Sequence, residues 1–338
     1  MQGGKITETK IEVPDIQSQG EAADQSIIQT WGLTKIFGNE VAVKDVTINV
    51  PQAHIFGFIG PSGSGKTTTI RMLTGYYQPT EGRAEVLGES PIHFTRKTQK
   101  KIGYMPQLFV LYPNLSVWEN LNFAASIYGV QFFRKGKLRE ILDFVQLYEH
   151  RHKLVRNISG GMQRRLSMAA TLVHDPTLIF LDEPTAGIDP VLRSKFWDRF
   201  RELRDEGRTL FVTTQYVSEA AYCDLVAVMG DGELLMVDTP DGLRYRAYGG
   251  DVVEMRTAKF LDYPTEMELQ KQPYITGKIE HTGDLTTRMV VKEASTAMPA
   301  LIEWFRNRGI EVISIEEFLP PFDEVFVELV KEEDEKSG

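Results

Sequence analysis

Apolar residues recur along this chain with two spacings, and the alternation between them lays out its elements. Val41, Val43, Val46, Ile48 and Val50 follow the imperfect two-residue alternation of strands with one buried side. Phe56-Gly57-Phe58-Ile59 is a short apolar run that predicts a buried strand, and Thr67 to Leu73 reads as a helix. Residues 115–175 are mostly helical in pattern and carry no strand signal. Asp175-Pro176 stops that block, and Leu178 to Leu181 reads as a strand. Leu192, Phe196, Phe200 and Leu203 return at helical spacing, with Gly207 placed as a C-terminal cap. Leu210-Phe211-Val212 predicts another buried strand. Leu225 to Met229 and Leu234 to Val237, joined through Gly230-Asp231-Gly232, predict a hairpin.

A domain boundary is expected near Thr239-Pro240-Asp241-Gly242 or just after Gly249-Gly250. Past it come strand-like Val252 to Met255 and Met289 to Val291. A helix bearing Met298, Leu301, Ile302 and Phe305 follows, then Gly309, then a strand from Ile310 to Ile315. The expected organisation is a flexible tail over 1–26, a large α/β domain over 27–240, a small α+β domain over 250–330 and a charged tail over 331–338. A helical subdomain is expected at about 108–175 of the large domain.

Apolar residues at 42% and charged residues at 25% are ordinary for a chain that buries a core. No apolar run approaches the ~20 residues needed to span a bilayer, and the first residues lack a secretion signal. The single cysteine, Cys223, excludes an internal disulfide framework and fits a reducing compartment as a small buried residue. A net charge of −9 argues against broad binding to nucleic acid. Arg96, Lys97, Lys100 and Lys101 form one local basic cluster, read as a solvated face ahead of a nucleic-acid or lipid site, with the lipid option kept open by the nearby Gln107.

Three segments carry chemistry. Gly60-Pro61-Ser62-Gly63-Ser64-Gly65-Lys66-Thr67 lies between a predicted strand and a predicted helix, the context of a phosphate-binding loop. Its glycines let backbone N–H groups face phosphate oxygens, and the helix adds its positive end. Lys66 is expected on the β- and γ-phosphates and Thr67 on Mg²⁺. Asp182 ends the Leu178 strand, where ligands bind in open α/β sheets, and is expected to hold Mg²⁺. Glu183 beside it is placed to activate a water as general base. Ser159-Gly160-Gly161 opens a helix, either as a plain serine cap or as a second phosphate-facing helix end. The 116 positions between Lys66 and Asp182 (182 − 66) leave room for the helical subdomain.

From about Thr30 to Val237, with these motifs in this order, the chain resembles the ATP-binding subunits of ABC transporters. The resemblance implies an α/β P-loop nucleotide hydrolase (ABC ATPase) core with the helical subdomain inserted and the α+β domain appended. It implies that ATP and Mg²⁺ are held by Gly60, Pro61, Ser62, Gly63, Ser64, Gly65, Lys66, Thr67 and Thr68. Phe37, in Lys35-Ile36-Phe37-Gly38, matches the aromatic position that stacks on adenine. Gln107, in Tyr104-Met105-Pro106-Gln107, matches a glutamine that reaches Mg²⁺ and reports to the membrane subunit. Ser159, Gly160 and Gly161 match the signature that binds ATP held by the opposite protomer. Asp189 matches the loop coupling the two sites. The implied machine pairs two such subunits, identical or not, with polytopic membrane subunits at the cytoplasmic face of the membrane.

Ile158-Ser159-Gly160-Gly161-Met162-Gln163, Pro184-Thr185-Ala186-Gly187 and the run from Pro320 to Phe326 resemble the drug, antibiotic and lipid exporter branch. The chain departs from the common pattern at Thr213-Thr214-Gln215-Tyr216, where most members have a histidine in place of Gln215. Glutamine still donates a hydrogen bond to a γ-phosphate but carries no proton. The alternatives are a non-transport ABC ATPase acting on ribosomes or DNA, which the acidic balance disfavours, and a regulator with decayed hydrolysis. Intact Lys66, Asp182 and Glu183 argue against the second.

Overall fold

The computed structural model describes residues 26–108, 110–130 and 134–337. Apart from Ser26, the tail expected over 1–26 lies outside the described residues. The chain divides into two compact units, one ending at Val237 and one beginning at Asp238.

The first unit runs β1 (Ser26–Phe37), β2 (Glu40–Val46), β3 (Asn49–Pro51), β4 (Ile55–Ile59), α1 (Lys66–Leu73), β5 (Glu81–Val86), α2 (Arg96–Gln99) and β6 (Ile102–Met105). It continues through α3 (Val117–Ile127), α4 (Lys135–Phe144), α5 (Gly160–Leu172), β7 (Leu178–Asp182), α6 (Pro190–Asp205), β8 (Thr209–Thr214), β9 (Leu225–Gly230) and β10 (Glu233–Asp238). The sheet order is β3-β1-β2-β10-β9-β4-β8-β7-β6, with β5 also paired to β1. From β9 to β6 the pairs β9–β4, β4–β8, β8–β7 and β7–β6 are parallel. β1 pairs antiparallel with β2, β3 and β5.

Every residue of β4, β7 and β8 is buried, the mark of strands covered on both faces. Phe56 and Phe58 meet Phe211 at 5.4 and 5.3 Å between ring centroids, and Phe180 meets it at 5.6 Å. This core sits directly behind the strand ends that matter chemically. The β9–β10 hairpin turns on Asp231 and Gly232, with φ of 44° and 84°, the paired positive angles of a type I′ turn. β1 escapes a periodicity search because register shifts between Leu33 and Ile36 break its alternation.

Helices α3, α4 and α5 share a separate core of Val117, Leu121, Leu138, Leu142, Leu166 and Ala169. Ser116 caps α3 through a reciprocal capping box with Glu119. This is the helical insertion between the phosphate loop and β7.

The second unit runs α7 (Pro240–Tyr248), β11 (Asp251–Thr257), α8 (Tyr263–Leu269), β12 (Ile275–Gly283), β13 (Thr286–Val291), α9 (Ala294–Arg306), β14 (Val312–Phe318) and α10 (Phe322–Ser337). From β11 to β14 the order is a split βαβ, an antiparallel sheet arranged β12-β13-β11-β14. Leu301, Trp304 and Phe305 of α9 pack with Val253, Met255, Met289 and Val291 of the sheet. Residues 331–337, expected as a charged tail, are helical as the end of α10, in keeping with the helix propensity of Glu and Lys. The stretch from Thr239 belongs to the second unit, because α7 packs against α10 and β11.

Candidate nucleotide site

The site is built where three neighbouring parallel strands end. Ile59 of β4 pairs with Thr214 of β8, and Thr213 pairs with Asp182 of β7. One edge of the sheet therefore presents the glycine loop, the two carboxylates and Gln215 side by side. This is the carboxyl edge at which open α/β sheets bind ligands. The loop is also pinned to β8, because the Gly60 N–H donates to the Thr214 carbonyl at 3.3 Å.

The loop closes onto α1 through Gly65, whose φ is 91°. A Cβ there would lie 2.5 Å from the Ala42 carbonyl, so only glycine fits. Pro61, Ser62 and Gly63 are exposed, while Ser64 and Lys66 are buried and Thr67 and Thr68 are half-buried. The Lys66 ammonium donates to the carbonyls of Gly60 and Pro61 at 2.8 and 2.6 Å, which leaves one of its three donors for another oxygen. Burial pulls the Lys66 pKa below the usual lysine value, and the nearby Glu183 and Asp182 partly offset this.

Asp182 is 1% exposed. Its Oδ1 accepts from Thr213 Oγ1 at 2.7 Å and from Thr67 Oγ1 at 3.1 Å. Its Oδ2 has no hydrogen-bond partner among the described residues, and neither has the buried Ser64 Oγ. Burial raises the Asp182 carboxyl above its ordinary pKa, with the two threonine bonds pulling the other way.

Glu183 carries a φ of 51°, a left-handed conformation that costs a non-glycine residue on the order of 1–3 kcal/mol. Four residues hold it there. Its N–H donates to Thr213, with both the hydroxyl and the carbonyl oxygen at 3.1 Å. Its carbonyl accepts from Arg164 Nη1 and, at 3.3 Å, from the Ala186 N–H. The Gln107 amide donates to Oε2 at 2.9 Å, so β6 and β7 together aim the carboxylate. Arg164 is buried on α5, and that burial lowers its pKa while Glu183, Tyr216 and Asp182 counter the shift.

The remaining sequence candidates are placed as follows. Gln215 is exposed, one residue past the end of β8. Ser159 caps α5, accepting from the Met162 N–H at 3.3 Å, and Gly160 and Gly161 have open space where a Cβ would stand. Asp189 caps α6, accepting from the Leu192 N–H at 2.9 Å. Among the described residues, neither Ser159 nor Asp189 bonds to the Gly60–Thr67 loop. Phe37 packs edge-on against Tyr77 at 5.2 Å with Lys35 Nζ over its ring, and remains 40% exposed.

The structure adds Thr213 and Arg164, which sequence reasoning did not single out. The Thr-Thr pair before Gln215 was a usable signal for Thr213. Nothing in the pattern separates Arg164 from its neighbour Arg165.

Residues 43–186 match the family described as ABC transporter. The chain is 37% identical over 224 residues to the probable multidrug ABC transporter ATP-binding protein YbhF of Escherichia coli (strain K12). That match covers 65% of this chain and spans 38% of the relative's length. It is 33% identical over 305 residues to the daunorubicin/doxorubicin resistance ATP-binding protein DrrA of Streptomyces peucetius, covering 89% of this chain and 92% of that one. Among solved structures, a dimeric ATP-binding cassette in a post-hydrolysis state bound to ADP and Pi superposes with a TM-score of 0.58 at 25% identity. It covers 63% of this chain and 98% of that one. With the phosphate loop and its carboxylates at one sheet edge, and a relative matched over nearly its whole length, the chain belongs to the family of ABC transporter ATP-binding proteins.

Proposed function

We propose that this protein is the ATP-hydrolysing subunit of an exporter, working with separate polytopic membrane subunits at the cytoplasmic face of the membrane. No helix among the described residues is long and apolar enough to cross a membrane, so the passage itself would be supplied by other chains. The names of the relatives, a probable multidrug ABC transporter protein and a daunorubicin/doxorubicin resistance protein, support a drug or antibiotic as the cargo. The alternative of a ribosome- or DNA-directed ATPase draws no support from them.

The observation that carries the proposal is the Gln107–Glu183 contact beside Lys66, Thr67 and Asp182. Loop N–H groups, the α1 terminus and Lys66 bind and orient the β- and γ-phosphates. Glu183, aimed by Gln107 and fixed by Thr213, takes the proton from the attacking water. Gln215 donates to the γ-phosphate from the end of β8. The residues present also fit Mg²⁺, which favours a few oxygen ligands supplemented by phosphate and water. Asp182, whose buried Oδ2 has no hydrogen-bond partner among the described residues, would hold it with Thr67 and Gln107, and the ion would neutralise phosphate charge. Ser159, Gly160 and Gly161 of each subunit would close over the ATP held by the other. Asp189 at the start of α6 would couple the two sites, and Phe37 would face the adenine.

The test is Glu183→Gln, which keeps shape and removes the base. Steady-state hydrolysis is expected to fall about 10²–10⁴-fold while ATP binding persists and an ATP-bound dimer accumulates. Undiminished hydrolysis, or a monomer at saturating Mg-ATP with and without membrane subunits, would overturn it.

A further inference from the structure

The turn that follows Gln215 contains a buried carboxylate that the proposed chemistry does not use. Glu219 is 1% exposed and lies in the short helical turn Val217–Tyr222 after β8. Its Oε1 accepts from Thr185 Oγ1 at 2.6 Å and lies 3.6 Å from Arg193 Nε. The Arg193 guanidinium stacks 4.4 Å over the Tyr216 ring and reaches the Ile188 carbonyl at 3.4 Å. The Glu219 N–H donates to the Tyr216 carbonyl at 3.0 Å.

Glu219 and Arg193 together thus join three segments, each carrying a proposed functional residue. Thr185 stands two residues after Glu183, Ile188 precedes Asp189, and Tyr216 follows Gln215. Burying a carboxylate costs free energy, and an apolar side chain would fill the same space without that cost. The buried hydrogen-bond acceptor therefore needs a reason, and the strained Glu183 supplies one. Its left-handed backbone persists only while the chain on both sides is held. Thr213 holds the N–H of Glu183 and Arg164 its carbonyl, and the Thr185 hydroxyl on Glu219 anchors the chain two residues further on.

We infer that Glu219 is a positioning residue of the hydrolytic site: through Thr185 and Arg193 it fixes the Glu183, Asp189 and Gln215 segments relative to one another. The inference rests on the reading of Glu183 as general base. In the full chain, Glu219→Ala and Thr185→Val are expected to lower kcat about 10²-fold, the scale for a displaced catalytic group. The KM for ATP should stay within about twofold, since the phosphate loop is untouched. Thr185→Ser should restore the rate, and Glu219→Gln, whose amide oxygen still accepts from Thr185, should recover most of it. Hydrogen exchange on the nucleotide-free chain should show faster exchange over 183–189 and 214–217 in Glu219→Ala, with β4 and α1 unchanged. A Glu219→Ala kcat within about twofold of wild type would overturn the inference. So would loss of protection spreading equally into α1, because the residue would then serve general stability. A wild-type chain that hydrolyses no ATP would sink the hydrolase reading instead, and the exchange pattern alone would then decide the positioning role.

Discussion

Replacing Thr213 by Val tests whether one hydroxyl organises both acidic residues. Thr213 Oγ1 donates to Asp182 Oδ1 at 2.7 Å and accepts from the Glu183 N–H at 3.1 Å. The first bond reaches a buried carboxylate and is worth about 1.5–3 kcal/mol, the second about 0.5–1.5 kcal/mol. Valine keeps the branched shape and loses both. The Glu183 N–H still has the Thr213 carbonyl at 3.1 Å, so no donor is orphaned and the net loss is about 2–4 kcal/mol. For a unit of this size that corresponds to a melting temperature lower by roughly 5–15 °C. Calorimetry of the nucleotide-free chain at pH 8 measures it, with Thr213→Ser expected to recover most of the loss. ATP hydrolysis should fall in the same variant, because Glu183 loses a restraint on its strained backbone. A Thr213→Val protein melting within about 1 °C of wild type and hydrolysing at the wild-type rate would refute the reasoning.

Three other outcomes are expected. Asp182→Asn should melt higher than wild type in the nucleotide-free state at pH 8. Burial holds the folded Asp182 pKa above its unfolded value, so the ionised form is the costly one. That penalty is fully present above the folded pKa and relieved as pH falls through it toward the unfolded value, so the two melting temperatures should converge in acid. Gln215→Ala should slow hydrolysis, removing a neutral donor to a charged acceptor worth about 1.5–3 kcal/mol, while Gln215→His should be tolerated and add a limb to the pH–rate profile. Equal rates for Gln215→Ala and wild type at saturating Mg-ATP would remove this side chain from the site. A chain ending at Val237 should still bind ATP, whereas one ending after Gly249 should aggregate more, because it exposes Leu243 and Ala247 of α7, which are buried in the intact chain. Equilibrium nucleotide binding and light scattering on the two truncations check this.

Much of the site was legible from residue order alone. A glycine loop between a buried run and a helix, and an apolar strand ending in Asp182-Glu183, are local patterns, so the candidate loop and its acidic residues could be picked out before the structure brought them to one sheet edge. Helices and hairpins were equally legible where one turn or one face decides them, as at Asp231-Gly232. β1, β5 and β12 were not. Their burial depends on partners far along the chain, and β1 is broken by bulges that follow its pairing with β2. Only the tertiary structure decided that Gln107, Thr213 and Arg164 converge on Glu183, from 76, 30 and 19 positions away. Parallel strands align their ends by register, and register is set by which buried faces meet across the sheet. A linear pattern records that a residue is buried or polar, but not which other strand end it will stand beside.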